Sequence, residues 1–380
     1  MSTRYLRQDQ IKGWIAEPIH NAKILVIGAG TVGNEIIKNL VLLGIGQITV
    51  IDYDIIEEIN LNRSILFRNE DIGKSKSITA ARRAKEINPK VEITGLHKDI
   101  IYDIGSQFYL EFDCVFLGVD NLEARMFVNR YCWLNEVPLI NIGIEGLHGN
   151  FSMYLPPNGS CIECSWHQND YKKLSEKFSC LKMGLSIDER KIPMVITSAS
   201  VIAGMAVQEC VNFLQKKYNQ NDKDYYFSPK NYIYIVENEH SLIRFEKTKK
   251  EDCPGHRILR KDLDIVPIKF KLTNKVNYIQ EIIKKYYQAE QVEISIDKEI
   301  IYSFDCKQCG AVEIDKPIYL GKYKRFLCQK CGAHELRPLV ISNLLYSDYS
   351  LMELNIPKAH LLECHYLKND DIKDCWIETI

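Results

Sequence analysis

The stretch "ILVIGAGTVGNEIIKNLVLLGIGQITVIDYDIIEEINLNRSILF" runs from Ile24 to Phe67 and decides the fold class of the chain. It begins with a continuous apolar strand that enters a glycine-rich turn. The turn opens a helix with a broad apolar stripe, which stops at Gly44. A second strand, "QITVIDYD", then ends in acidic residues. This succession is typical of the nucleotide-binding start of a doubly wound α/β sheet.

The same alternation of strand and helix continues for most of the chain. Helical patterns appear in "SKSITAARRAKEIN", "LEARMFVNRYCWLNE" and the small-residue-rich "ITSASVIAGMAVQECVNFLQKKY". Strand patterns appear in "VEITGLH", "FDCVFLGVDN", "VPLINIGIEGLHGNFSMYL" and the strand pair "YIYIVENEHSLIRFEKTKK". We therefore predict a Rossmann-like, doubly wound parallel sheet with helices on both faces. Because the composition changes between Cys253 and Ile265, we predict a first domain over 1–257 and a C-terminal module over 258–380.

Composition and charge narrow the functional classes. The 380 residues are 46% hydrophobic and 26% charged, with 49 basic and 50 acidic residues. This balance gives no general reason to expect nucleic acid or an anionic membrane as a partner. The polar start "MSTRYLRQDQ" does not resemble a signal peptide, and no apolar run approaches the ~20 residues of a membrane-spanning helix. Thirteen cysteines then indicate thiols and metal sites, and we predict a cytoplasmic location.

The glycine turn has the spacing G-x-G-x-x-G at Gly28, Gly30 and Gly33. Glycines permit a tight turn and a close backbone approach to phosphate, and the helix N-terminus favours an anion. This motif alone fits NAD as well as ATP, because Asp52 lies where a ribose-binding carboxylate belongs. An NAD-dependent oxidoreductase is therefore the first alternative.

Polar residues beyond the second strand favour a nucleoside triphosphate. Asn60, Arg63 and Lys76 follow that strand, and Asp120 ends a later one. The carboxyl ends of parallel strands face one crevice, so Arg63 and Lys76 would neutralise a triphosphate there and Asp120 would hold Mg²⁺. Hydride transfer needs none of these groups. The alternative is a solvated basic loop with Asp120 as a helix cap.

These motifs together resemble the ThiF/MoeB/HesA superfamily, the adenylating domain shared with ubiquitin-activating enzymes. The resemblance covers roughly residues 4 to 256, and one departure is Ser64, where family members commonly have Gln after "NLNR". It is carried by ordered motifs: "RYLRQ", "VIGAGTVG", "IDYDIIEEINLNR", "GKSK", "GVDNLEAR", the cysteine pairs and "ITSASVIAGMAVQE".

The resemblance implies a role for each matching residue. Arg7 of "RYLRQ" would reach the γ-phosphate in a neighbouring subunit, which implies a homodimer; the alternative is an ordinary surface arginine. The other implied roles are the nucleotide loop (Gly28, Gly30, Gly33), the ATP ribose (Asp52), the phosphates (Asn60, Arg63, Lys76) and Mg²⁺ (Asp120).

The implied reaction is ATP-dependent adenylation of the C-terminal carboxylate of a small protein ending in Gly-Gly. That protein would be a ubiquitin-like protein or, alternatively, a sulfur carrier activated for thiocarboxylate formation. A non-catalytic adaptor that kept the fold is a further alternative. The sequence does not exclude adenylation of a tRNA or a peptide.

Two sets of metal-ligating residues stand out among the cysteines. Two C-x-x-C-G knuckles about twenty residues apart predict a zinc ribbon over 306–331, with ligands Cys306, Cys309, Cys328 and Cys331. The first set joins distant segments and depends on the resemblance, which implies paired cysteines here. It would bind Zn²⁺ through Cys161, Cys164, Cys253 and His256; the alternative is four ordinary residues.

Cys180 lies in "KKLSEKFSCLKMGLSIDERK", which we predict to be a mobile basic loop. Neighbouring cations such as Lys177 and Lys182 would lower the thiol pKa and favour the thiolate. The resemblance implies that this cysteine accepts the activated acyl group as a thioester, or carries sulfur as a persulfide. The alternative is an incidental loop cysteine.

The C-terminal module resembles no family as a whole. Its leucine- and tyrosine-rich end, "LVISNLLYSDYSLMELNIPKAHLLECHYLK", packs against the ribbon or forms a docking surface for a conjugating enzyme. If this end is a docking surface, loss of the ribbon would spare adenylation and impair transfer of the activated protein to the conjugating enzyme.

Overall fold

The computed structural model describes residues 3–182, 193–218, 232–236, 242–256, 258–322, 328, 330–332, 336–344 and 347–380. Contacts divide the chain into two compact units. The first unit comprises Met1–Ile101, Tyr109–Ser165 and Lys191–Leu259. The second unit comprises Tyr102–Phe108, Trp166–Arg190 and Arg260–Ile380. The domain division at 257/258 stays a prediction; the contacts divide the chain two residues later and draw two earlier segments into the second unit.

Helices and strands lie close to the segments that the hydrophobic patterns mark. The α-helices are α1 (Leu6–Asp9), α2 (Glu17–Asn21), α3 (Thr31–Leu43), α4 (Lys76–Ile87), α5 (Leu122–Leu134), α6 (Gln168–Lys182), α7 (Ile196–Tyr218) and α8 (Val276–Tyr287). The strands are β1 (Lys23–Ile27), β2 (Gln47–Ile51), β3 (Glu92–Leu96), β4 (Cys114–Leu117), β5 (Leu139–Glu145), β6 (His148–Tyr154), β7 (Tyr232–Val236), β8 (Leu242–Glu246), β9 (Ile265–Phe270), β10 (Gln291–Cys306), β11 (Gly310–Tyr319), β12 (Leu336–Leu344), β13 (Leu361–Lys368) and β14 (Asp371–Thr379). None of the described helices is both long and apolar enough to span a membrane.

The first unit contains one eight-stranded sheet in the order β3-β2-β1-β4-β5-β6-β7-β8. The strands from β3 to β5 in this order are parallel, as predicted. The remaining strands β6, β7 and β8 are antiparallel. Strands β7 and β8 were predicted as a strand pair, but the antiparallel β6 departs from the predicted parallel sheet. The reason is local: β5 and β6 are joined by the tight turn around Gly146, and a short hairpin connection pairs strands antiparallel.

The helices of the first unit pack on its sheet. On α3, Ile36, Ile37 and Leu40 are fully buried in the main core, which also includes α7 residues such as Ile202 and Ala206. Helix α3 ends at Gly44, whose left-handed φ of 80° suits glycine. Because the central parallel strands β1 and β4 are buried on both faces, they read as continuous apolar runs.

The second unit contains a six-stranded sheet in which β10 is shared between two parts. The first residues of β10 pair with β13, which continues through β14 to β9. The later residues of β10 lie between β11 and β12 and form the three-stranded ribbon. Helix α8 buries Val276, Ile279 and Ile283 beside this sheet.

Two segments from the first half of the chain belong to this second unit. In residues 102–108, the Gln107 backbone N–H donates to the Ala359 carbonyl at 2.8 Å, and the Ser106 N–H donates to His360 Nδ1 at 3.1 Å. The other segment begins at Trp166 and includes α6. Helix α6 packs against β12 and against the 3₁₀ helix Leu320–Lys322.

The predicted mobile loop around Cys180 is wrong up to Lys182, because these residues form α6. Tyr171, Leu174 and Phe178 recur at helical spacing, and no glycine or proline interrupts the segment before Gly184. Residues 183–192 of the predicted loop lie outside the described residues.

Candidate functional site

The glycine turn lies at the carboxyl ends of three neighbouring strands, β2, β1 and β4. Gly28 has a φ of 95°, and a Cβ there would lie 2.6 Å from the Gly118 carbonyl oxygen. A Cβ on Gly33 would lie 1.9 Å from the Gly28 carbonyl oxygen. Both positions therefore require glycine for close packing of the backbone. A Cβ on Gly30 would meet nothing within 4 Å, so that face of the turn is open to a ligand.

Asp52 follows β2 and ties that strand to the glycine turn. Its carboxylate accepts the Ala29 N–H at 2.7 Å and the Asp54 N–H at 2.7 Å. Burial raises the pKa of Asp52, and the nearby Lys76 cation opposes that rise. Asp52 thus shapes the turn as well as offering the carboxylate that the resemblance assigns to ribose.

Lys76 lies at the start of α4, beside the same acidic strand end. Its Nζ is 2.7 Å from Asp54 Oδ2, and its backbone N–H donates to the Asp54 carbonyl at 3.0 Å. The next residue, Ser77, donates from Oγ to the Asp52 carbonyl at 3.0 Å. The structure therefore brings Lys76 to the Asp52 side of the crevice, in an ion pair with Asp54.

Asn60 and Arg63 are engaged locally rather than with this acidic end. The Asn60 Oδ1 accepts the Glu57 N–H at 2.9 Å and so caps a short 3₁₀ helix. The Arg63 guanidinium donates to the Ile59 carbonyl and, at 3.1 Å, to Asn62 Oδ1. Phosphate binding by these two residues stays a prediction.

Asp120 lies just beyond β4 and is exposed. Arg125 on α5 lies behind it and donates to the carbonyl oxygens of Val119 and, at 3.0 Å, Ile142. Burial lowers the pKa of Arg125 to about 10, opposed by the Tyr154 and Asp120 charges, so its guanidinium is cationic at neutral pH. The sequence reasoning missed Arg125, although it ends the quoted motif "GVDNLEAR". Arg125 therefore links the loop after β4 to strand β5.

Asn34 is a second residue that the sequence reasoning missed. Its side chain is fully buried and donates to the Ala29 carbonyl at 2.7 Å and the Gly30 carbonyl at 3.0 Å. Its Oδ1 accepts the Leu66 N–H at 2.9 Å. Asn34 therefore fixes the glycine turn against the segment that follows Arg63. A polar residue within an apolar helix stripe is the signal that could have found it.

The first predicted metal set is brought together although its members are far apart in the chain. The ligand atoms of Cys161, Cys164, Cys253 and His256 all lie within 4.8 Å of one another. The Cys161 and Cys253 sulfurs are 3.6 Å apart. The His256 Nε2 is buried and has no hydrogen-bond partner among the described residues. Three sulfurs and an unsatisfied imidazole nitrogen fit the donor set of Zn²⁺.

Backbone and aromatic groups surround this first cluster. Cys164 Sγ accepts the backbone N–H groups of Cys161 at 3.4 Å and Lys250 at 3.5 Å. The hydrogen bond between the Cys161 and Cys164 sulfurs, together with these backbone donors, lowers the pKa of Cys164. The His256 ring lies 4.9 Å from the Trp133 ring, centroid to centroid. A thiolate with preformed donors suits a metal ligand.

An ion pair between the partly exposed Arg130 and the fully buried Glu163 lies beside the first cluster. Glu163 accepts from Arg130 at 2.8 and 3.0 Å and from Asn129 Nδ2 at 3.1 Å. A Cβ on Gly255 would lie 2.7 Å from Asn129 Nδ2 and 2.8 Å from Cys161 Sγ, so glycine is required there. The position of the ligands is therefore fixed by contacts that do not involve a metal.

The second predicted metal set is also assembled, at the end of the ribbon. Its ligand atoms again lie within 4.8 Å of one another. The Cys306 and Cys331 sulfurs are 3.6 Å apart, and the Cys309 and Cys328 sulfurs are 3.5 Å apart. Four sulfurs from two C-x-x-C turns are the donor set of a structural zinc site.

Arg7 and Cys180 complete the predicted site residues. Arg7 is exposed on α1. Cys180 lies in the last turn of α6, and its side chain lies outside the described part of the structure. Their predicted roles, in a neighbouring subunit and as an acyl acceptor, stay predictions.

Comparison with known proteins agrees with this geometry. The ThiF family matches residues 6–255. Among curated relatives, a SUMO-activating enzyme subunit 2 of Dictyostelium discoideum is 42% identical over 166 residues, which are 43% of this chain and 25% of that protein. A NEDD8-activating enzyme E1 catalytic subunit of Caenorhabditis elegans is 39% identical over 162 residues, 39% of this chain and 37% of that protein. The matched part is thus about a quarter to somewhat over a third of these relatives.

A solved structure supports the fold alone. The crystal structure of E. coli MccB with AMPCPP and MccA covers 67% of this chain and 74% of that chain, with a TM-score of 0.54 and 24% identity. The structure of MccB with ATP gives a TM-score of 0.51 at 23% identity.

Proposed function

The chain belongs to the ThiF family, and from that premise we propose that it adenylates the C-terminal carboxylate of a ubiquitin-like protein with ATP. The observation that carries this proposal is the crevice at the carboxyl ends of β1, β2 and β4, which we call the strand-end crevice. There, the open Gly30 face, the Asp52 carboxylate and the exposed Asp120 come from adjacent strands. The names of the activating-enzyme relatives support the choice of a ubiquitin-like substrate.

In the proposed first step, a carboxylate oxygen of the partner's last residue attacks the α-phosphorus of ATP. A new P–O bond forms, the bond to the β-phosphate oxygen breaks, and pyrophosphate leaves with the bond electrons. The product is an acyl-adenylate, in which AMP makes the carbonyl carbon a good electrophile.

The chain's own residues would bind and neutralise the nucleotide. The glycine turn and the N-terminus of α3 would accept phosphate oxygens. Lys76 would exchange its Asp54 partner for a phosphate oxygen, and Asn60 and Arg63 would give up local contacts to do the same. Asp120 would hold Mg²⁺, which neutralises the leaving pyrophosphate. Arg7 of a second copy would complete the site in a homodimer.

In the proposed second step, the Cys180 thiolate attacks the acyl carbon of the adenylate. A carbon–sulfur bond forms, the bond to the AMP phosphate oxygen breaks, and the partner is held as a thioester. A conjugating enzyme would then accept the acyl group in a cytoplasmic pathway.

We also propose that both cysteine clusters hold Zn²⁺ with a structural role. Each offers four donors, which leaves no open coordination position for a substrate. Cys161, Cys164, Cys253 and His256 would hold one ion in the first unit. Cys306, Cys309, Cys328 and Cys331 would hold the other in the ribbon.

ATP–pyrophosphate exchange with candidate proteins ending in Gly-Gly tests the first step. Asp120→Ala is expected to abolish exchange, because the exposed carboxylate is the proposed Mg²⁺ ligand. Glu111→Ala, which removes an exposed carboxylate elsewhere in the first unit, is the matched control and is expected to retain it. Exchange that persists in Asp120→Ala would contradict the assignment.

The second step is separated from the first by Cys180→Ala. This variant is expected to form the adenylate and to lose the thioester on non-reducing gels. A thioester that survives would place the acceptor at another cysteine. If every candidate fails to support pyrophosphate exchange and the wild-type chain binds NAD instead, the result would favour the oxidoreductase alternative. A thiocarboxylated product without a thioester would favour the sulfur-carrier alternative.

A further inference from the structure

Helix α6 carries the proposed acceptor but belongs to the second unit. The helix directly follows the Cys161–Cys164 knuckle of the first unit in sequence. In the structure, its contacts are with β12 and the 3₁₀ helix Leu320–Lys322, both parts of the ribbon end of the second unit. The ribbon therefore supports a segment that lies, along the sequence, between two stretches of the first unit.

The described face of α6 shows how it is held. Leu174 is 7% exposed, and Trp166, just before the helix, is 9% exposed. The Trp166 ring lies 5.4 Å from that of Tyr171 in an edge-on arrangement. On the opposite side, Lys172 and Glu176 are exposed and 3.8 Å apart. The apolar side of an amphipathic helix is buried against its support, so loss of that support would release the helix.

The support depends on the ribbon cysteines themselves. The buried ribbon core consists of Ile301, Phe304, Cys306, Leu320, Cys328 and Leu336. Leu320 and Leu336 come from the two elements on which α6 packs, and they share this core with two of the metal-ligating cysteines. A core this small gains much of its stability from metal. Loss of one metal ligand would therefore loosen the surface beneath α6.

We propose that the ribbon zinc site positions the Cys180 helix, through Leu320 and Leu336, for thioester formation. This inference rests on the proposed function and deepens it. It differs from a role of the ribbon as a docking surface for a conjugating enzyme. A docking surface would be needed after the thioester has formed, whereas support of α6 is needed to form it.

The first experiment compares Cys331→Ser with Lys330→Ser in the full-length chain. Both side chains are exposed in the same turn, and only the cysteine is a metal ligand. Cys331→Ser is expected to lose one zinc per chain and to show amide hydrogen exchange in α6 that is ~tenfold faster or more, through local unfolding. Lys330→Ser is expected to match the wild type. Loss of zinc with unchanged exchange in α6 would overturn the inference.

The second variant, Leu174→Ala, changes the helix itself and leaves the residues of both metal sites unchanged. Truncation of a buried leucine is expected to accelerate exchange in α6 ~tenfold or more, with zinc content unchanged. Lys172→Ala, on the exposed side of the same helix, is the control. If Leu174→Ala leaves exchange unchanged, the packing of α6 on the ribbon is not what holds it, and the inference is overturned.

The chemical readout separates this inference from the proposed function. With a carrier that supports pyrophosphate exchange, Cys331→Ser and Leu174→Ala are expected to keep pyrophosphate exchange within ~twofold. They are expected to lose at least ~tenfold in thioester, because release of α6 in ~nine-tenths of the molecules would leave only the remainder competent. Normal thioester with impaired onward transfer would overturn the inference in favour of docking. If the wild type supports no exchange, the proposed function fails, while the hydrogen-exchange results still decide whether the ribbon holds α6.

Discussion

In each of the two cysteine clusters, the ligand atoms lie within 4.8 Å of one another, but the surroundings of the clusters differ. The first is surrounded by the Glu163–Arg130 ion pair, the Asn129 side chain and the Trp133 ring. In the ribbon, two of the six buried core residues that the structure describes are metal-ligand cysteines, Cys306 and Cys328. The comparison teaches that two similar four-donor clusters can serve different purposes. A metal bound to the first cluster would add to a structure that other contacts already hold, whereas a metal bound in the ribbon would be a main source of its stability.

Metal removal should separate the clusters most clearly. A strong chelator is expected to unfold the ribbon, because structural Zn²⁺ contributes about 10–16 kcal/mol in small metal-folded domains. Hydrogen exchange in β11 and β12 should approach that of an unfolded chain. Exchange in β1, β2 and β4 should stay slow. Equal acceleration in both units would remove the distinction between the clusters.

Arg130→Met tests whether the first cluster is held without metal. It leaves the fully buried Glu163 carboxylate without its cation, which costs about 3 kcal/mol. Lys172→Met, which removes an exposed ion pair in α6, should cost less than about 1 kcal/mol. Urea unfolding of both variants with zinc present measures the difference. Similar small losses would mean that the metal alone holds the first cluster.

Asn34→Ala tests whether side-chain contacts also hold the strand-end crevice in place. The variant removes hydrogen bonds from a buried side chain to the glycine turn and to Leu66, which should cost about 2 kcal/mol. ATP affinity, measured by calorimetry, should fall with it. Gln208→Ala, which removes an exposed pairing with Asn212 on α7, is the control and should change neither quantity. A stable variant with normal affinity would show that the turn needs no side-chain anchor.

Acid should destabilise the first unit through Asp71. This loss of stability is expected to be the smallest effect among the four predictions of this comparison. Burial alone would raise the pKa of Asp71, but hydrogen bonds from Arg83 and Lys74 and nearby arginine charges lower it overall. A carboxylate whose pKa is lower in the folded state stabilises above its unfolded pKa of about 3.9. Stability is therefore lost as pH falls through that value toward the folded pKa.

Asp71→Asn should reduce this acid dependence in urea unfolding between pH 3 and pH 6, a window about the unfolded pKa. Glu111→Gln, at an exposed position, is the comparison. An unchanged pH profile in Asp71→Asn would show that the arginine cluster contributes nothing to acid stability.

Local patterns predicted most of the helices and strands. The glycine spacing, the strand ends at Asp52 and Asp120 and the ribbon cysteines depend on short-range chemistry that the sequence displays directly, whereas the first cysteine set joins distant segments and was assigned from the family resemblance. Strands β7 and β8 were predicted as a pair, but the antiparallel pairing of β6 with β5 was missed, because both strands lie within one predicted strand segment. Asn34 and Arg125 were missed as anchors, because their partners are backbone groups that no residue type reveals.

The assignment of α6 to the ribbon could not be predicted from the sequence. Its apolar spacing indicates a helix, but a helix of this kind fits any apolar surface. Leu320 and Leu336 are far away in sequence, and long-range packing of this kind leaves no local signature. The same holds for residues 102–108, which are fixed by Ala359 and His360.

The order of synthesis gives this interleaved arrangement a further consequence. At the usual elongation rate of about 5–20 residues per second, α6 leaves the ribosome on the order of ten seconds before Leu336 is made. During that interval its apolar side has no ribbon to cover it. A nascent chain stalled before the ribbon is therefore expected to present Trp166 and Leu174 to chaperones, until the last cysteine knuckle has been made and the ribbon can cover them.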